Sequence, residues 1–147
     1  MENQDLEIAK RELKERSLSL VIVKDKKIIF ESSSHGIIGF LHAIEKLGKS
    51  LKKASVGDRI VGKAIALLCV YADVKAVYAE TLSERARIFF EKYALHCEWD
   101  NIVEKILGAN KTKICPFEKA AEHISNVEEA YEKLKRLLWE VTSSKRM

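Results

Sequence analysis

Residues 54–90, ASVGDRIVGKAIALLCVYADVKAVYAETLSERARIFF, constrain this chain most. Polar residues almost vanish between Lys63 and Ala72, so residues 60–72 read as a helix covered on most sides. Ser55 is placed to cap that helix, with Asp58 three residues on at the positive end of its dipole. Lys75 to Ala79 reads as a short strand, entered by a tight connection that suits parallel packing. Ser83 then caps a second helix, whose Ala86, Phe89, Phe90 and Tyr93 form a core face. Helix, strand and helix make one α/β unit, and open α/β sheets place ligands at strand ends and helix N-termini. The polar residues near those turns are Asp58, Arg59, Lys63, Glu80, Thr81, Ser83 and Glu84. They are the candidate ligand-binding residues, with capping and surface pairing as the structural alternative.

Either side of this unit the periodicity is readable. Leu6, Ala9 and Leu13 mark an amphipathic helix over 3–16. SLSLVIV and KIIFES are β-branched runs separated by Lys24, Asp25 and Lys26, the pattern of a hairpin. Its turn lacks the Asn or Gly that primed turns favour, so a longer or bulged connection is expected. Ile37, Phe40, Leu41, Ile44 and Leu47 predict another helix, stopped at Gly48. Residues 95–99 read as a strand on which His96 and Cys97 face opposite ways, which separates them as metal ligands; residues 102–107 fit either a strand or a short helix. Pro116 suits the first position of a helix and makes Cys115 its N-cap, where the dipole and Lys113 would favour a thiolate. Asp58 and Cys115 are the candidate catalytic residues, either one as nucleophile or base, with an inert thiol filling apolar space as the alternative for Cys115. Asn126 opens a C-terminal helix over 126–142, with Glu129 three residues on and Val127, Ala130, Tyr131, Leu134, Leu138 and Val141 as its stripe.

With 147 residues, 47% of them hydrophobic, a single domain can build a core without staples. It divides into the N-terminal helix, a core over 17–124 and the C-terminal helix. Three dispersed cysteines argue against a disulfide framework and for a reducing, cytoplasmic setting. No run approaches a membrane span, and the acidic N-terminus is unlike a signal peptide. The net charge of +4 is too mild and too evenly spread for a nucleic-acid footprint, and the cluster Lys46, Lys49, Lys52 and Lys53 reads as a solvated face. Charged residues reach 33% against four Asn and one Gln, a bias found in thermophile proteins.

The segments SLVIVKDKKIIFESSSHGI, ASVGDRIVGKAIALLCVYADVKAVYAETLSE and KICPFEKA resemble the family catalogued as domain of unknown function 1893, over about Leu18 to Ala121. The resemblance implies an α/β, cytidine deaminase-like fold: a three-layer α-β-α sandwich with a mixed sheet that starts with an antiparallel hairpin. Zinc deaminases open their catalytic helices with His-x-Glu and Pro-Cys-x-x-Cys. At the positions expected for those motifs this chain has Asp58-Arg59-Ile60 and Leu82-Ser83-Glu84-Arg85-Ala86, so no zinc and no zinc-dependent deamination are expected. What the resemblance leaves is a cleft lined by Asp58, Arg59, Lys63, Glu80, Ser83 and Glu84. It implies a nucleotide or nucleotide-sugar ligand there and homo-oligomeric assembly. The alternatives are a metal-independent enzyme using Asp58 or Cys115, and a non-catalytic interaction protein.

Overall fold

The computed structural model describes residues 4–34, 37–106 and 115–144. Helix α1 (Gln4–Glu15) is followed by the hairpin β1 (Leu20–Lys24) and β2 (Lys27–Ser32), then α2 (Ile38–Leu47) and a 3-10 turn. Three strand–helix steps follow: β3 (Ser55–Val61) with α3 (Lys63–Tyr71), β4 (Ala76–Ser83) with α4 (Glu84–Lys92), and β5 (His96–Val103) before the short α5 (Pro116–Ala121). Helix α6 (Val127–Ser144) ends the described chain. The five strands form one sheet in the order β2-β1-β3-β4-β5. β1 pairs antiparallel with both β2 and β3, and β3, β4 and β5 run parallel. This is the mixed sheet with an N-terminal hairpin that the resemblance implies. No helix among the described residues is long and apolar enough to cross a membrane.

Two boundaries differ from the sequence reading where the site depends on them. Residues 55–61 form the central strand rather than the start of the buried helix. Over Ser55–Asp58 they lack apolar alternation because both faces are covered, Val56 by the main core and Gly57 by α1, while Ile60 near the strand's end is exposed. Ser55 therefore caps nothing on α3, and Asp58 and Arg59 lie on a strand instead of a helical first turn. Glu80 and Thr81 likewise belong to β4, which continues to Ser83. Ser83 does cap α4, its side chain accepting the Ala86 N–H at 3.1 Å.

Helix α1 covers one face of the sheet through Leu6, Ala9 and Leu13 against Val21, Val23, Ala76 and Tyr78. On the other face α3 is apolar around nearly its whole girth, from Ala64 to Cys69, because it is enclosed by the sheet, α4 and the C-terminal helices. Helix α6 lies over α3, with Tyr131 stacked on Tyr71 at 5.5 Å between ring centroids.

The hairpin turn shows how a poor local sequence is rescued from outside. Asp25 and Lys26 both take positive φ, 51° and 66°, without being glycine. Their N–H groups donate to the two carboxylate oxygens of Asp5 on α1, at 3.0 and 2.8 Å. The turn stays at two residues, and the irregularity appears within the ladder between Ile22 and Val23, where β2 accommodates an extra residue. Asp5→Ala should cost about 1–2 kcal/mol in chemical denaturation, the worth of charge-assisted bonds on a strained turn. An unchanged midpoint would show that the turn holds itself.

Candidate functional site

The parallel strands β3 and β4 deliver their carboxyl ends to the N-termini of α3 and α4, where an open α/β sheet presents its ligand site. The α3 end is distinctive. Its N-cap is Gly62, extended at φ −108° and ψ −172° and without a capping side chain. The first free amides are satisfied by a residue 54 and 55 positions away: Lys63 N–H donates to Glu118 Oε2 at 3.0 Å and Ala64 N–H to Oε1 at 3.2 Å. A Cβ at Gly62 would overlap the Glu118 carboxylate, so the missing side chain is what admits the cap. Burial raises the Glu118 pKa, while the two N–H bonds and the nearby Arg85 and Lys63 oppose the rise.

A second contact secures the same segment, since Arg85 on α4 pairs with Glu122, the residue following α5. Between them is a cavity of about 10 Å³, lined by Ser83, Arg85, Glu104, Lys105, Glu118 and Glu122. That is room for about one water. Among the described residues, the chain's own Glu118 carboxylate occupies the α3 end of the strand-end site.

The sequence-predicted residues do not converge. Strand alternation sends Asp58 to the α3 face with Val56, and Arg59 to the α1 face with Gly57. Asp58 is 5% exposed and accepts the Ile60 N–H at 3.4 Å; burial holds its pKa well above the ordinary carboxylate value. Arg59 pairs with Glu80 at 2.7 Å and donates to the Leu13 carbonyl at 3.0 Å, tying α1 to the sheet. Tyr78 extends this network by donating to Asp100 at 2.6 Å, and Lys14 approaches Asp100 at 3.2 Å. Thr81 is half-buried in β4. Glu84 opens α4 and engages Arg87. Of the seven candidates, Lys63 and Ser83 stand at helix N-termini facing the strand ends, and Glu84 follows Ser83. Cys115 holds the N-cap position of α5 without a side-chain cap bond, and its companion Lys113 lies outside the described residues. Sequence reasoning missed Glu118 as a site residue, because a contact made 54 residues away leaves no local pattern.

The His-x-Glu spacing occurs at His96-Cys97-Glu98, but on β5, where His96 Nε2 lies 2.8 Å from Glu98 Oε2. The segment read against the first deaminase motif lies inside β3 instead of at a helix start. Among the described residues, no three His, Cys, Asp or Glu side chains are grouped to hold a metal ion.

The family model described as domain of unknown function (DUF1893) matches residues 8–138. The chain belongs to this family. The crystal structure of a DUF1893 family protein (TM1506) from Thermotoga maritima is similar at 24% identity and a TM-score of 0.84, covering 92% of this chain and 91% of that one. Two further structures are similar at lower TM-scores. Acinetobacter baumannii RibD, form 1, shows 20% identity and a TM-score of 0.46 over 65% of this chain and 33% of that one. A structure from studies of A-to-I editing by tRNA:A34 deaminases shows 17% identity and 0.42, over 67% and 88%. No curated protein matches.

Two measurements test the DUF1893 site. Glu118→Ala should lower stability by about 1 kcal/mol through loss of the α3 cap, and Gly62→Ala should do comparable harm by expelling the same carboxylate. An unaltered denaturation midpoint in both would remove the cap from the account. Asp58 has a raised folded pKa, so the native state holds its proton more tightly than the unfolded chain. Stability should therefore fall as pH rises from about 4, the unfolded carboxylate value, through the folded value. Asp58→Asn, which stays neutral and keeps an acceptor oxygen, should flatten that fall, with Glu118 contributing a residual slope of the same sign. A profile as steep as wild type would place the ionisation cost elsewhere.

Proposed function

We propose that this DUF1893 protein is a metal-independent binding module for a nucleotide-class anion at the carboxyl ends of β3 and β4. The observation that supports the reading is the pair of bonds from the Lys63 and Ala64 amides to the Glu118 carboxylate. Those amides already hold an anion, so a phosphate can compete for the same donors. The Lys63 side chain and Arg85 would add charge, and Ser83 would offer its hydroxyl. Binding requires the Glu118 carboxylate to leave the amides and Arg85 to leave Glu122, since the present cavity admits no nucleotide. Glu118 is in this reading a resident competitor. No catalytic step is assigned: Asp58 is sealed from an outside molecule, and the Cys115 thiol has no partner base in the geometry described.

The test is calorimetric titration with nucleoside mono- and diphosphates and a nucleotide-sugar, on wild type and on Glu118→Ala. The variant should bind at least one of them about tenfold more tightly than wild type, and adding Arg85→Ala should weaken that binding. A folded Glu118→Ala protein that binds none of the panel at millimolar concentration would overturn the proposal.

A further inference from the structure

The amino ends of the inner strands carry a surface whose parts are far apart in the sequence. β1 ends beside the start of β3, with Val23 paired to Ser55, and β3 starts beside β4, with Ser55 paired to Ala76. The hairpin turn, the turn after α2 and the turn between α3 and β4 therefore meet at this end. They are fastened to one another. Lys24 Nζ donates to the Ser50 carbonyl at 3.1 Å, the Lys53 N–H to the Asp73 carbonyl at 2.8 Å and the Lys75 N–H to the Ala54 carbonyl at 2.7 Å. A hollow of about 570 Å³ opens between these turns.

Lysines crowd the rim. Lys24, Lys26 and Lys27 come from the hairpin, Lys49, Lys52 and Lys53 from the turn after α2, and Lys75 from the entry to β4. Against these seven stand Asp5, Asp25 and Asp73, so the excess of four positive charges equals the net charge of the whole chain. Asp5 is held by the hairpin amides and Asp73 lies 4.0 Å from Lys52. Among the described residues, Lys26, Lys27, Lys49, Lys53 and Lys75 make no side-chain ion pair or hydrogen bond. Lys26 and Lys53 also sit at φ 66° and 64°, where glycine would remove the strain. Unpaired cations kept at a backbone cost on one fastened face point to an anionic partner.

The partner's chemistry follows from the side chains beside the charges. Residues 24–27, 48–53 and 72–75 expose no large apolar or aromatic side chain, so nothing there would enter a bilayer or stack on the bases of a single strand. Lysine ammonium groups are point charges that meet backbone phosphates without reading bases. Neighbouring strands lie about 4.8 Å apart, so the face from β2 to β4 spans roughly 14 Å and would meet about four phosphates along one strand of a duplex. We propose that this end of the sheet binds the phosphate backbone of double-stranded nucleic acid. It lies at the opposite ends of β3 and β4 from the Glu118 cap and stands independently of the strand-end reading.

Anisotropy titration of the full chain against a fluorescein-labelled DNA duplex of about 20 base pairs tests the proposal. Binding should be micromolar at low salt and should weaken about tenfold for each doubling of salt, as about four phosphate contacts require. Lys53→Gln combined with Lys75→Gln should weaken it about tenfold and lower the salt slope by about two contacts. Lys53→Arg combined with Lys75→Arg should bind like wild type. Removing the same charge elsewhere, by Lys119→Gln with Lys133→Gln, should leave binding unchanged. Circular dichroism checks that each variant is folded. A duplex that fails to bind at low salt overturns the proposal, as does binding indifferent to the Lys53 and Lys75 substitutions. Equal or tighter binding of polyglutamate would make the face a dock for acidic protein segments, and of phosphatidylserine vesicles a membrane-facing surface; either result also overturns it.

Discussion

The grip of Glu118 on the first amides of α3 governs much of what the fold can do. A buried helix start needs its free N–H groups satisfied. Here no local side chain can do it, because the N-cap is glycine. The duty passes to a carboxylate delivered by α5, and that delivery occupies the amides a strand-end ligand would use. One interaction thus completes α3, positions the segment after β5 and decides whether the sheet's usual ligand site is open. The raised pKa of Glu118 is the cost of using a buried carboxylate for this.

Most elements were legible because their periodicity is strong. The apolar stripe of α1, the hairpin runs, the stop at Gly48 and the Ser83 cap all agree with the structure. The central strand was not legible. Val56, Ile60 and Val61 favour a strand, but a strand enclosed on both faces has no alternation to distinguish it from the buried helix that follows. That single error misplaced Asp58 and Arg59, and with them the expected cleft. Period-two geometry sends those neighbours to opposite faces, so they cannot line one pocket.

What separates the faces also separates their roles. On the α1 side, Arg59, Glu80, Tyr78, Asp100 and Lys14 form a polar network that fastens a helix to a sheet. On the opposite side lie the helix N-termini, the capping carboxylate and the outer helix α6. Polar residues of the first group are explained by the contacts they make. The second group includes an anion-holding amide pair, which no local motif in the chain announced.

The Asp5 carboxylate beneath the hairpin turn bears on how the sheet's outer strand keeps its place. A ribbon whose bend has no glycine of its own is free to slide by one residue, which would turn every β2 side chain over. Fastening both turn amides to a helix packed across β1, β3 and β4 removes that freedom. The frame of the sheet at this edge is thereby set by α1, so loss of the first helix would loosen pairing some 20 residues downstream and expose β2 to exchange with a neighbouring chain.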